Sequence, residues 1–297
     1  MATIYDIARA TGVTQTTVAN ALAGRGNVSE ATRQRILQCA REMGYRPNEI
    51  ARSFKQRKTM TLALILPTIA NPYYPEIAEE VERCAQSHDY QMLLCNTHYD
   101  DALGHHYLER LVSRWVDGII VMGSSMKLEH ILAHHQRGLP IVLCNWQENE
   151  ALSPDIPQVA ADYREAGALA ARHLLAMGHR DLAIIVDLPQ QISRLEGFRS
   201  ALADADITLS PQRIARGDSS LDSGYRAARD LLDQTPRPTA IFATNDWMAL
   251  GALEAAHSLG VRVPEDLSIM GLDDIVVAAH VTPALTTIAV SKQRLAQ

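Results

Sequence analysis

Four polar side chains near the amino terminus could do the most specific chemistry in the sequence. They are Gln15, Thr16, Thr17 and Asn20. The amides of Gln and Asn present a donor beside an acceptor, which matches N6 and N7 of adenine, and Thr can contact the methyl group of thymine. Such closely spaced side chains predict a surface that reads the edges of DNA bases. The alternative is the ordinary polar face of a small helical domain.

Three short helices are predicted to position these side chains. The first covers about residues 4–10 and is followed by a turn at Gly12. The second begins after Thr14 and the third after Ser29, both good N-cap residues, and the third stops at Gly44. The predicted core faces carry Ile4, Ile7, Ala8, Val18, Leu22, Ile36, Leu37 and Met43. Two helices joined by a tight turn would place the second one in the major groove.

Charge is distributed unevenly along the 297 residues. Residues 1–58 contain ten Lys or Arg and four Asp or Glu, a net charge of +6, whereas the other 239 residues contain 18 basic and 30 acidic groups, a net charge of −12. A basic head can neutralise phosphates, and an acidic body would be repelled by them. Arg9, Arg25, Arg33 and Arg35 are expected to contact phosphates, or simply to solvate the surface.

After residue 58 the pattern predicts an α/β fold. Strand-length apolar runs at 61–66, 90–95, 117–122, 140–144, 182–186, 239–243 and 266–271 alternate with amphipathic helices such as 163–177 and 245–259. This alternation predicts parallel sheets covered by helices on both faces. The βα units form two sets, before and after about residue 160, which predicts two lobes. Ligands of such sheets bind beyond the carboxyl ends of the strands, so a cleft between the lobes is expected.

An ordered series of segments resembles the LacI/GalR family of repressors. TIYDIARATGVTQTTVANAL resembles its helix-turn-helix, NVSEATRQRILQCAREMGYRPNEIARSFK its third helix and hinge, and LALILPTIANPYYPEI, VDGIIVMG, FATNDWMALGAL, RVPEDLSIMGLDD and TPALTTI its sensor domain. The resemblance implies a small all-α helix-turn-helix domain (1–46), a hinge helix (47–58) and a two-lobed, periplasmic-binding-protein-like effector and dimerisation domain (59–297). The lobes would cover about 59–160 and 161–285. The family continues for several dozen residues beyond Gln297, so a truncated last part is expected.

The resemblance also implies a hinge that touches the minor groove. The family usually has Leu at the position of Phe54, where an apolar wedge slips between base steps and kinks the duplex. The alternative is that Phe54 packs inside a helix pair. The expected DNA-contacting residues are Thr14, Gln15, Thr16, Thr17, Asn20, Arg25, Arg52, Phe54 and Lys55. The expected partners are a near-palindromic double-stranded operator and a second copy of the chain, as a homodimer or a tetramer.

By the same resemblance, the effector cleft takes residues from both lobes. The expected set is Asn71, Tyr73, Tyr74, Ser124, Ser125, Trp146, Arg194, Asn245, Asp246 and Asp273. Aromatic faces, an acceptor at Asp273 and a donor fork at Arg194 suit a small polyhydroxylated molecule. Tyr73 and Tyr74 could instead be lobe-interface core, and Asp246 a helix cap. The loops DLPQQISR and GDSSLD contain no extra Arg or aromatic residue, which favours a sugar or sugar derivative over a purine.

Other functions find little support in the sequence. No Gly-rich nucleotide loop or GxSxG elbow is present. The pairs His105–His106, His134–His135 and His130–His134 lack the further ligands of a zinc site and are interpreted as solvated. We therefore expect no cofactor, no metal and no enzymatic activity. With no signal peptide or membrane-length run, we expect a cytoplasmic protein. A periplasmic solute-binding protein and an α/β enzyme with a regulatory head are the alternatives.

Overall fold

A computed structural model describes residues 2–45, 58–113, 116–123, 126–145 and 156–297. The chain divides into two compact units, Met1–Thr59 and Met60–Gln297. We call them the head and the body.

The head consists of three helices, α1 (Ile4–Thr11), α2 (Gln15–Leu22) and α3 (Glu30–Glu42). Thr14 and Ser29 cap α2 and α3 as predicted, because their hydroxyls accept hydrogen bonds from the first turn. Gly12 follows α1 at φ 68°, a left-handed conformation that glycine adopts without strain. A small core forms around Ile7, Val18 and Ile36, all fully buried.

Two residues of the predicted head core, Leu37 and Met43, lie outside the buried cluster. Leu37 is only partly buried and does not belong to that cluster. Met43 is 39% exposed, because α3 ends at Glu42 and Met43 is its C-cap. Ala40 is buried instead, and Cys39 packs against the cluster. The core face of α3 therefore ends a turn earlier than the hydrophobic pattern indicates.

The body contains two five-stranded sheets in which every paired strand is parallel. The strands are β1 (Thr61–Leu66), β2 (Gln91–Asn96), β3 (Gly118–Met122), β4 (Ile141–Cys144), β5 (Gln158–Val159), β6 (Leu182–Asp187), β7 (Ile214–Gly217), β8 (Ala240–Ala243), β9 (Ser268–Asp273) and β10 (Thr286–Ala289). The first sheet has the order β2-β1-β3-β4-β5 and the second the order β10-β9-β8-β6-β7. The predicted two-lobed α/β architecture is confirmed.

Helices connect the strands. They are α4 (Tyr73–Ser87), α5 (Asp101–Ser113), α6 (Leu128–Gln136), α7 (Tyr163–Ala176), α8 (Ile192–Ala203), α9 (Leu221–Leu232), α10 (Asp246–Ser258) and the short α11 (Lys292–Ala296). None of the helices that the structure describes is long and apolar enough to cross a membrane.

The seven predicted strands all exist, but three others were missed. β5 has only two residues, while β7 and β10 are edge strands without a long apolar run, since they read IARG and TTIA. The expectation of complete burial is wrong for β2, which is an edge strand with Leu93 42% and Leu94 45% exposed.

The interpretation of the histidines as solvated is also wrong in part. The rings of His105 and His130 lie 4.3 Å apart between α5 and α6, and His134 is only 8% exposed. Burial lowers the pKa of His134, which favours a neutral ring.

Candidate functional site

The exposed face of α2 carries most of the predicted base-reading residues. Gln15 and Thr16 are exposed, and Asn20 is half-buried beside Gly26. Val18 and Ala21 turn inward and fix which face is outward. Gln15, Thr16 and Asn20 are therefore available for groove contacts.

Thr14 and Thr17 are already engaged in the local structure. Thr14 Oγ1 accepts from Thr17 N at 3.1 Å, and the two hydroxyls lie 2.9 Å apart. Among the predicted phosphate contacts, Arg25 is exposed, whereas Arg35 donates from Nη2 to the carbonyl of Thr11 at 3.0 Å. That bond ties α3 to the end of α1, so Arg35 has a structural role.

Six predicted site residues lie outside the described part of the chain. They are Arg52, Phe54 and Lys55 of the hinge, and Ser124, Ser125 and Trp146 of the cleft. The wedge at Phe54 stays a prediction.

In the second lobe, a hydrogen-bonded network lies at the carboxyl ends of β6, β7 and β8, where one wall of the cleft is expected. Ser219 donates to Asp187 Oδ2 at 2.8 Å and accepts from Gln191 Nε2 at 3.1 Å and Asn245 Nδ2 at 3.2 Å. Gln191 Oε1 accepts in turn from the Thr244 hydroxyl. The three strand ends are thus fixed relative to one another, which gives a preformed polar surface.

Close packing of two helices positions Arg194. Gly167 of α7 and Gly197 of α8 face each other, and a Cβ on Gly197 would overlap the carbonyl oxygen of Arg164. Because α7 and α8 pack this closely, the guanidinium of Arg194 on α8 lies over the ring of Tyr163 on α7, 4.0 Å from the ring centre. The same guanidinium donates to the carbonyl oxygen of Thr244. The predicted donor fork is therefore buried, at 7% exposure, and anchored.

Asp273 is the exceptional residue of this wall. It ends β9, is 3% exposed, and its Oδ1 is buried without a hydrogen-bond partner. Its φ of 120° lies in a region that non-glycine residues rarely adopt. Burial raises the pKa of this carboxyl well above its usual value, and the positive charge of Arg194 opposes that effect. A buried acceptor in a strained backbone, with no protein donor, is typical of a binding site.

The first-lobe wall contributes tyrosines. The Tyr73 hydroxyl lies 3.0 Å from that of Tyr163, across the two lobes, and accepts from Asn145 Nδ2 at 2.7 Å. Tyr73 is 5% exposed, which supports the lobe-interface interpretation, and Tyr74 is half-buried against its edge. Burial raises the pKa of Tyr99 to about 12. A hydrogen bond from Tyr74 opposes this increase, and the negative charge of Asp187 adds to it.

The lobes are also joined behind Asp273. Lys292 of α11 pairs with Glu76 of α4 at 3.0 Å and donates to the carbonyl oxygens of Asp273 and Asp274 at 2.9 and 2.6 Å. Glu76 accepts from Val276 N at 2.9 Å. The Lys292–Glu76 pair thus holds the backbone of Asp273, while Oδ1 of its carboxylate has no hydrogen-bond partner.

Three other predicted cleft residues make hydrogen bonds that stabilise the local structure. Both carboxylate oxygens of Asp246 are occupied, by Ile275 N at 2.9 Å and the Thr287 hydroxyl at 2.5 Å. Asn245 is the N-cap of α10, and Asn71 accepts from Tyr73 N at 3.1 Å. These contacts favour the structural interpretation of Asp246 and leave Oδ1 of Asp273 as the buried acceptor without a protein donor.

Sequence reasoning missed several residues of the cleft. These are Asn145, Tyr163, Asp187, Gln191, Ser219 and Thr244. A usable signal existed, because all but Tyr163 and Gln191 either end a strand or follow its end within two residues. β7 was not predicted, so the loop that carries Ser219 had no place in the sheet order.

Fold and sites together define a class of protein: a regulator with a helix-turn-helix head and a two-lobed sensor body. Residues 3–48 match the sequence model of "Bacterial regulatory proteins, lacI family", and residues 59–296 match "Periplasmic binding proteins and sugar binding domain of LacI family". The chain belongs to the LacI family of DNA-binding transcriptional repressors, whose members bind operator DNA and small-molecule effectors.

Similarity to individual proteins supports this family assignment. The chain is 37% identical to the HTH-type transcriptional repressor PurR of Proteus mirabilis, over 100% of this chain and 88% of that protein. It is 38% identical to the HTH-type transcriptional regulator DegA of Bacillus subtilis, over 97% and 86%. A CelR–cellobiose complex is similar, with a TM-score of 0.72, 29% identity and coverage of 100% and 90%. The lac repressor dimer bound to operator and an anti-inducer has the same fold, with a TM-score of 0.87 at 24% identity and coverage of 100% and 89%.

Proposed function

We propose that this protein is a repressor whose operator affinity is set by a small polar effector bound between the two lobes of the body. The observation that carries the proposal is the unpaired, buried Oδ1 of Asp273. Leaving a buried acceptor unpaired costs about 1–3 kcal/mol, and a ligand donor would remove that cost. Arg194, whose charge acts on Asp273, and the Gln191–Ser219 network add further fixed polar groups at the same edge of the sheet.

Two relatives of the chain bear on the chemical class of the effector. The CelR neighbour was solved with cellobiose, whereas the curated relative of higher identity is a repressor named PurR. The network contains hydroxyl, amide and carboxylate groups, which suit a hydrogen-bonding ligand of either class. We keep a sugar or sugar derivative as the first choice and a purine as the second.

On the DNA side, Gln15, Thr16 and Asn20 read bases in the major groove, and Arg25 contacts the backbone. Arg52, Phe54 and Lys55 form the minor-groove hinge. The proposed boundaries are 1–46 for the head, 47–58 for the hinge and 59–297 for the sensor. The exposed Leu93 and Leu94 of edge strand β2 support a homodimer, which would bind a near-palindromic operator. Such a protein acts in the cytoplasm, without catalysis.

A two-stage experiment tests the proposal. A thermal-shift screen of the full chain against sugars, polyols, sugar acids and purines identifies ligands, because binding to the folded state raises stability. Mobility shifts with fragmented genomic DNA at two salt concentrations then measure operator binding with and without each hit. Arg194→Ala should lose the response to the ligand and retain DNA binding, and Asp222→Ala, at an 85% exposed side chain on α9, is the matched control. Saturable DNA binding that no compound alters would contradict the proposal.

A further inference from the structure

Three histidines pack against one another between α5 and α6 of the first lobe, and we call them the histidine cluster. The rings of His105 and His130 lie 4.3 Å apart at an angle of 34°, and the ring of His134 lies 6.2 Å from that of His105. His105 belongs to α5, whereas His130 and His134 belong to α6. The contact between the two helices therefore includes three side chains of a type that gains a charge between about pH 5 and pH 8.

Two ring nitrogens of the histidine cluster are buried without a hydrogen-bond partner. They are Nδ1 of His105 and Nδ1 of His130. A carboxylate lies just beyond hydrogen-bonding distance of each ring, because Asp101 Oδ1 is 3.7 Å from His130 Nδ1 and Glu109 Oε1 is 3.6 Å from His105 Nε2. A positive charge on either ring would therefore have a negative charge close by.

The same geometry opposes a second proton. Two positive charges about 4 Å apart in a partly buried site repel each other much more strongly than they would in water, so a charge on His105 disfavours one on His130. His134 is 8% exposed, and its pKa is lowered by burial and by the charges of Arg137 and His105, while Glu109 opposes this effect. His134 therefore favours the neutral state.

Charged groups on both helices face the histidine cluster. They are Asp101 and Glu109 on α5, Glu129 on α6 and Arg137 at the C-cap of α6. The apolar core under the two helices contains Leu108 and Ile131, and the titratable side chains Cys95 and Tyr107 pack against that core. Three carboxylates beside one guanidinium favour a first proton in the cluster, and the short distances between the rings oppose the next one.

The position of α5 connects the histidine cluster to the carboxyl edge of the first sheet. Asp101 is the first residue of α5, and the turn before it is hydrogen-bonded to the end of β1. In that turn, Thr97 N donates to the carbonyl oxygen of Leu66 at 3.0 Å, and Tyr99 N donates to that of Pro67 at 3.1 Å. A change in the packing of α5 would therefore reach the edge at which β1 ends.

We propose that the histidine cluster is a proton-binding site that holds one proton and resists a second, so that acid weakens the packing of α5 against α6. In the unfolded chain the three histidines are independent and take up three protons as pH falls below about 6.5. The folded cluster takes up fewer, so the free energy of unfolding falls as pH falls through that range. The proposal goes beyond the proposed function, since it requires neither effector nor DNA.

Histidine NMR spectra of the full chain, assigned by substitution, test whether the rings act on one another. His105 contacts both other rings, so His105→Gln removes both repulsions and retains a polar side chain. In this variant we expect His130, His134 or both to take up a proton about one pH unit higher than in the parent. His106→Gln replaces an exposed neighbour on α5 and is the matched control, which should leave both titrations unchanged. Identical titrations of His130 and His134 in the parent and in His105→Gln would overturn the inference.

Urea unfolding at pH 7.5 and pH 5.5 measures the consequence for stability. On acidification the unfolding equilibrium constant should rise severalfold more in the parent than in His105→Gln, and His106→Gln should behave as the parent does. Hydrogen exchange at the same pH values, corrected for the intrinsic rate, should show a larger loss of protection in α5 and α6 than in α8. His130→Gln is a second variant, because it breaks the 4.3 Å ring contact alone. An equal response to acid in the parent and in both cluster variants would overturn the inference.

Discussion

Asp246 and Asp273 are two buried aspartates at the carboxyl edge of the same sheet, and they have opposite surroundings. Asp246 is fully buried, and its oxygens accept from Ile275 N and the Thr287 hydroxyl. Asp273 is 3% exposed, and its Oδ1 has no partner. Burial raises the pKa of both groups, but hydrogen bonds from Thr287 and Ile275 oppose this at Asp246.

We infer from this difference that the carboxylate of Asp246 stabilises the fold and that the carboxylate of Asp273 binds a ligand. A satisfied buried group stabilises its surroundings, whereas an unsatisfied one costs free energy that the fold must tolerate. Removing each carboxylate should therefore change stability in opposite directions.

The largest effect is expected at Asp246. Asp246→Ala removes the acceptor of two buried donors and should lower the free energy of unfolding by about 3 kcal/mol. Urea denaturation of the full chain measures this, with Asp222→Ala as the exposed control. A loss below about 1 kcal/mol would mean that the two donors find other partners, and the contrast with Asp273 would disappear.

A smaller effect is expected at Lys292, which holds the backbone of Asp273. Lys292→Met leaves Glu76 and two carbonyl oxygens without their cation, so stability should fall by about 2 kcal/mol. Because the strained turn at Asp273 loses its anchor, ligand affinity should fall as well. Glu76→Gln retains a side chain that can hydrogen-bond and should lose less on both measures. An unchanged ligand affinity in Lys292→Met would show that the Lys292–Glu76 pair does not position Asp273.

The third effect has the opposite sign. Asp273→Asn removes a buried carboxylate whose Oδ1 has no hydrogen-bond partner and should raise the free energy of unfolding at pH 7.5 by roughly 1 kcal/mol. In the folded state the pKa is raised, so the folded protein holds more protons than the unfolded chain between the usual value and the raised one. The parent therefore loses stability as pH rises through that window, and the advantage of the variant should vanish below pH 3.8. Urea unfolding at a series of pH values checks this; a variant less stable than the parent at pH 7.5 contradicts it.

The sequence predicts the architecture well where one local signal is sufficient. The N-caps Thr14 and Ser29, the turn at Gly12 and the apolar strands of both lobes follow from residue type and periodicity alone. β7 was missed because an edge strand needs no continuous apolar run.

Long-range pairing is what the sequence could not supply. Asp246 and Asp273 are both acidic residues near strand ends. They differ because Asp246 accepts a hydrogen bond from Thr287, which lies 41 residues further along the chain on the unpredicted strand β10. The placement of Arg194 likewise depends on the close packing of α7 against α8 at Gly167 and Gly197. Both facts arise from packing between segments that are distant along the chain.

If Oδ1 of Asp273 receives the effector, replacing this carboxylate should abolish the response of the protein to the effector. The parent and Asp273→Asn are titrated with the compound that stabilises the parent in the thermal-shift screen, while binding to a DNA fragment selected from the source genome is followed by mobility shift. We predict equal DNA affinity without the compound, a clear change in affinity for the parent on adding it, and none for the variant over a hundredfold range of concentration. A variant whose DNA affinity responds at the same concentrations as the parent would show that the effector does not bind through the carboxylate of Asp273.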